Sequence, residues 1–200
     1  MSNLWKRAAF ALLLGFGLTF GGVVSAQMGA KDEPKKEEPK AEAKKLDTPW
    51  TLDEVKKAMK AGQTAKFKLV STYEGKDTVY LMTQEITEVS DKGYKSKTTT
   101  TDADGKAMGE PTEESKNWDD FYKGLDFTDA DTKITEGKAK VGAGEFDCKI
   151  YTQTKDENGS KTTTAYYFVK DKPGYIAKLT SESVTGEIKS SYSMELTEAK

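Results

Sequence analysis

From Ala65 onward, hydrophobic and polar residues alternate with a period of two. In "AKFKLVSTY", Ala65, Phe67, Leu69, Ser71 and Tyr73 point one way and Lys66, Lys68, Val70 and Thr72 the other. That is the pattern of a strand with one covered face. "EGKD" turns the chain into "TVYLMTQEITEV" (Thr78–Val89), rich in β-formers on both faces. Its alternation slips midway, which predicts a bulge or a strand covered on both sides. "SDKG" then leads to "YKSKTTTTD", a polar strand whose lysines suit a sheet edge.

The last third carries the clearest signals. "TKITEGKAKV" and "EFDCKIYTQT" flank "GAG", Asn158-Gly159 marks a tight hairpin, and "KTTTAYYFVK" runs into the Pro-Gly turn "DKPGY". "IAKLTSES", "VTGE" and "IKSSYSMELTEA" complete the series. Short strands joined by tight turns predict an antiparallel meander.

Two stretches keep helical spacing instead. In "PWTLDEVKKAMKAG", Thr51 and Glu54 have capping-box spacing and Trp50 and Val55 the staple positions. Leu52, Val55 and Met59 share a face, and Gly62 is expected to end the helix in a left-handed turn. A second helix is predicted through "TEESKNWDDFYKGL", with Thr112 or Ser115 as its cap and Gly124 at its end. Its stripe of Trp118, Phe121, Tyr122 and Leu125 reads as a packing surface. The expected fold is therefore mainly β (α+β): an antiparallel meander of about eight or nine strands forming an open or half barrel, with two short helices.

The ends differ in kind. Residues 1–26 read as a signal peptide: Lys6 and Arg7, then the uncharged run Ala8–Val24, then small residues before a cut between Ala26 and Gln27. An uncleaved membrane anchor is the competing reading of the same run. Residues 27–46 read as a disordered charged tether, with six lysines and five acids between Lys31 and Lys45. Residues 47–200 are then a single β-rich domain. The expected location is outside the cytoplasm, in the periplasm or cell envelope or secreted, with no transmembrane span once the leader is cut.

Charge and chemistry narrow the function further. The net charge of −2 becomes about −5 for the domain alone, which argues against nucleic acid as a partner. There is no histidine, so histidine-based triads and the common zinc sets are absent. The acids around the second helix (Asp119, Asp120, Asp126, Asp129, Asp131) match no calcium-loop spacing and read as solvated loop residues. "GAGEFD" imitates a nucleotide fingerprint but lies between strands, so Gly142 and Gly144 are read as hairpin glycines with positive φ. One cysteine in an exported chain forms no internal disulfide. Cys148 is placed by alternation with Phe146, Ile150 and Thr152, opposite Asp147, Lys149 and Tyr151. It is expected to be a buried, inert hydrophobe on the apolar face.

The stretches "VGAGEFDCKIY", "TAYYFVKDKPGYIAKLTSE" and "SYSMELTE" resemble the strand and turn pattern of small exported bacterial proteins related to the lipoprotein-carrier (LolA/LolB-like) open barrels. The resemblance covers roughly Val141 to Glu198, with Gly142, Gly144, Phe146, Pro173 and Gly174 at matching positions. It implies an incomplete antiparallel barrel around one or two helices, some members of which hold acyl chains on the concave side. None of the matching positions is catalytic in that family.

The expectation is thus an exported protein of the cell envelope that is not an enzyme and uses no cofactor or metal. An apolar or lipid-like ligand would meet Phe67, Leu69, Phe146, Ile150, Leu179, Tyr192 and Met194, with Tyr166 and Phe168 on the intervening strand. The alternative is a structural or interaction protein of the envelope, its core filled and its partner another envelope protein.

Overall fold

The computed structural model describes residues 43–157 and 159–200; the leader, most of the tether and Asn158 lie outside the described residues. Nine antiparallel strands form one open sheet, in which β1 is Thr64–Tyr73, β2 Lys76–Ser90, β3 Gly93–Asp102 and β4 Thr112–Asn117. After the second helix come β5 Thr132–Val141, β6 Gly144–Glu157, β7 Ser160–Val169, β8 Ile176–Thr185 and β9 Ile188–Ala199. The order across the sheet is β4-β3-β2-β1-β9-β8-β7-β6-β5, so β9 returns to pair with β1 and the free edges are β4 and β5. Two short helices, α1 (Leu52–Ala58) and α2 (Trp118–Lys123), lie in the bowl that the sheet forms.

Local chemistry explains the start of α1. Thr51 Oγ1 accepts from the Glu54 N–H at 3.2 Å and the Glu54 carboxylate accepts from the Thr51 N–H at 2.7 Å, a complete capping box. Val55 is fully buried. The helix ends earlier than its glycine: Met59 is already extended, and Gly62 (φ +85°) instead shapes the turn into β1.

The slip in β2 is a bulge. Ile86 pairs with Ser96 and Glu88 with Lys95, leaving Thr87 extra. Without it Glu88 would follow Ile86 onto the core side; with it Val89 does, and Val89 packs on the core. A second bulge, between Tyr167 and Phe168 on the β7–β8 ladder, leaves Ala177 extra and turns Ile176 inward beside Leu179.

The expected edge moves by one strand. β3 is interior because residues 112–117 pair with it as β4, where a helix was expected. Six residues beside an open ladder gain more from pairing than from continuing a helix whose first two turns hold no apolar residue. Asn117, whose side chain accepts from the Asp120 N–H at 2.7 Å, is the true cap, and α2 keeps only six residues. Its aromatic stripe packs as expected, with Trp118, Phe121 and Leu125 all buried.

The folded part begins before Asp47. Leu46 N–H donates to Phe127 O at 2.8 Å, Lys45 bridges to Thr128 and pairs with Asp126, and Lys44 N–H donates to Asp129 Oδ1 at 2.9 Å. The acids at 126 and 129 thus hold the entering chain. Asp131 accepts from Thr132, Thr128 and Gln153 and ties β5 to β6.

Candidate functional site

The bowl is where the candidate residues gather, and seven of the nine face the same core. Phe67, Leu69, Tyr166, Phe168, Leu179 and Met194 are buried there, and Tyr192 packs against them partly buried. Cross-strand register makes the cluster: Leu69 and Leu179 both oppose Met194, and Tyr166 opposes Leu179.

Ile150 and Phe146 are placed differently. The alternation along β6 is as expected, but the residue that reaches the main core is Tyr151, from the opposite face. Tyr151 packs at 4.8 Å from Phe127 and 5.2 Å from Phe168, and its hydroxyl donates to Asp47 O at 2.7 Å. Burial pushes its phenol up to about 12. Ile150 belongs to a second, small cluster of Ala139, Cys148, Val169 and Ala177, and Phe146 touches both clusters. The reason is a fold-back: the β5–β6 tip crosses to β9, where Ala143 N–H donates to Leu196 O at 3.0 Å. A Cβ on Gly142 would lie 3.2 Å from the Thr197 Cα, so that glycine serves close approach rather than positive φ, which only Gly144 adopts. Small residues let the strands come together, and Cys148 is one of them. It is fully buried, and burial raises its thiol pKa.

The chain fills the bowl itself. Trp50 packs edge-on to Phe168 at 5.3 Å and its indole N–H donates to Val169 O at 2.9 Å. Phe121 and Leu125 are fully buried from α2 and the turn after it, and Phe127 packs tilted against Tyr151 and edge-on against Tyr166 and Phe168. Phe127 carries no periodic signal; it was missed because it lies between elements. Beneath the helices lies a cavity of about 50 Å³, partly open to solvent and bounded by Met59, Phe67, Ile86, Tyr94, Phe121 and Ile176 with Gln63, Thr64 and Gln84. That is room for one or two waters, not an acyl chain.

A second hollow, about 460 Å³ and open to solvent, lies between the entering strap and β5–β6. Its lining sets Asp47, Glu54 and Glu136 against Lys149 and Lys170; Lys170 pairs with Glu136 at 2.8 Å, holding that carboxyl low, and Glu54 is occupied by its cap. Among the described residues no group of three or more acids, cysteines or histidines is placed to hold a metal ion, and no helix is long and apolar enough to cross a membrane.

No protein-family model and no curated protein matches this chain. Solved structures similar in shape include one from Bacteroides fragilis, provisionally described as an exported protein with a YmcC-like fold. It is 14% identical and aligns over 70% of this chain and 96% of its own, with a TM-score of 0.42. A second, from Parabacteroides distasonis and provisionally described as a lipoprotein, is 12% identical over 70% and 96%, with a TM-score of 0.45. A third, from Vibrio parahaemolyticus and provisionally described as an outer-membrane lipoprotein-sorting protein domain, is 11% identical over 74% and 90%, with a TM-score of 0.29.

Proposed function

We propose that this chain is an exported, non-catalytic protein of the cell envelope whose bowl is a structural core, and that it acts by contact with another envelope component rather than by carrying an apolar ligand. The observation that carries this reading is the filled interior. A pocket for a lipid-sized ligand needs several hundred cubic ångströms, whereas the space under α1 and α2 is about 50 Å³. The seven inward candidate residues belong to one core with Trp50, Phe121, Leu125 and Phe127 of the same chain; Phe168 meets Trp50 and Phe127 directly, and Tyr166 meets Phe127. Export is supported by the leader-like first 26 residues, and the absence of histidine removes the commonest catalytic base.

Crosslinking in the producing cell tests the reading. A single crosslinked species in the envelope fraction is expected. Recovery of the uncleaved chain in the cytoplasm, or of an uncrosslinked protein loaded with lipid, would overturn it.

A further inference from the structure

β5 ends the sheet, and its outer side is unpaired. Thr154 N–H donates to Asp131 O at 2.8 Å at the head of the β5–β6 ladder, and hydrogen bonding along an antiparallel pair alternates. The odd-numbered residues of β5 therefore bond to β6, whereas Ile134, Glu136, Lys138 and Lys140 aim N–H and C=O away from the sheet. None of these four has a backbone partner on that side among the described residues, and all four are exposed. The other edge, β4, presents only Glu113, Ser115 and Asn117 in this way, its parity being fixed by Trp118 N–H donating to Lys92 O.

Open edges are commonly guarded by charged side chains, lysine above all, that discourage a second strand. β5 carries lysines but interrupts them with Glu136, and "KITEGKAKV" (Lys133–Val141) is complementary to itself. Laid antiparallel on a second copy about Gly137, Glu136 meets Lys138, Ile134 meets Lys140, Thr135 meets Ala139 and Lys133 meets Val141. No like charges face each other. The backbone allows this register, because the four outward-aimed residues then pair among themselves, N–H to C=O. Gly137 meets Gly137 at the central non-hydrogen-bonded position, where opposed Cα atoms come within about 4.5 Å. Centring the pair on residue 136 or 138 would set Glu136 or Lys138 against itself.

We propose that β5 is a dimerisation edge, at which two copies of this chain join by two-fold antiparallel pairing centred on Gly137 into one continuous sheet. Within each copy Lys170 bonds Glu136 at 2.8 Å and Lys138 bonds Glu145 at 2.8 Å. Pairing joins these exposed ion pairs, one from each copy, into rows of alternating sign. A two-fold contact uses up both edges and stops at two copies, whereas β4 meeting the β5 of the next copy would grow without end. This inference rests on the edge strand and not on export or the filled bowl, so it stands or falls apart from the proposed function.

The test is sedimentation velocity on the protein purified from the producing cells, from about 10 μM to about 1 mM, the range of small transient contacts, with amide hydrogen exchange alongside. A dimer is expected by the top of that range, with the amides of residues 134, 136, 138 and 140 protected in the dimer and open in the monomer. Glu136→Lys and Lys138→Glu each put like charges at both crossings and should weaken the dimer at least about tenfold. Mixed in equal amounts, the two variants make both crossings opposite in sign and should recover it. A monomer at about 1 mM, which would leave the edge to a different chain, would overturn the proposal. So would growth beyond two copies, a dimer that leaves the four amides open, or variants that dimerise like the parent or stay apart on mixing.

Discussion

Phe121→Ala addresses the packing of the bowl at its centre. The ring is fully buried, meets Tyr94 and Trp118 edge-on at 6.1 Å each, and borders the 50 Å³ cavity. Truncation removes about 100 Å³, and at about 24 cal/mol per Å³ an unrelaxed hole costs about 2.4 kcal/mol. The lost transfer of the ring adds about 2 kcal/mol, for a total of about 4 kcal/mol. With a urea slope of about 2 kcal/mol/M for a domain of this size, the unfolding midpoint falls by about 2 M. The new hole adjoins the existing cavity on its apolar side, and together they offer space on the scale that admits benzene. Equilibrium urea unfolding, with and without saturating benzene, is the assay. Benzene should raise the variant's midpoint and leave the parent's unchanged. A loss below about 1 kcal/mol at constant slope, or equal stabilisation of the parent by benzene, would refute the claim that Phe121 fills the core beneath the helices.

Gly93→Ala should detach the β4 edge, because a Cβ there would lie 2.0 Å from the Lys116 carbonyl oxygen and 2.7 Å from the Asn117 Cα, both backbone. Hydrogen exchange should show residues 112–117 unprotected, with a global loss of at least about 2 kcal/mol; retained protection would contradict the register. Cys148 should resist alkylation in the native protein and react only at the rate of global unfolding, and fast labelling by a maleimide would show that the second cluster is open. Glu198, held at about 2 by Lys200 and Lys66, stabilises the fold fully above its ordinary value of 4.5 and progressively less as pH falls towards 2. Glu198→Gln should therefore flatten that part of the acid limb, most visibly at low salt, and an unchanged pH profile would contradict the pairing.

The meander, the turns, α1 with its cap and the bulge in β2 were legible because each is a local signal: a capping box, a Pro-Gly turn, one residue too many before Val89. The hydrophobic face of β1 was equally plain. What the alternation of β6 could not reveal is which of its two faces meets the main core. Phe146, Cys148 and Ile150 look more apolar than Lys149 and Tyr151, yet the fold-back of the β5–β6 tip onto β9 creates a second cluster for them. That contact spans more than fifty residues and leaves only small residues, Gly142, Ala139 and Ala177, as its trace. β4 was hidden for a related reason. "TEESKN" has no strong preference, and the open edge of β3 decides its state. Of the candidate face, seven positions were legible from strand parity, whereas the plug that occupies it depends on how the strap at residues 44–50 and the turn at Leu125–Phe127 cross the bowl.

Native mass spectrometry of the protein purified from the cells that produce it measures the central claim most directly. A filled bowl predicts the mass of the polypeptide alone with no lipid attached, under conditions gentle enough to retain one. A stoichiometric acyl-chain adduct, released only on unfolding, would contradict it.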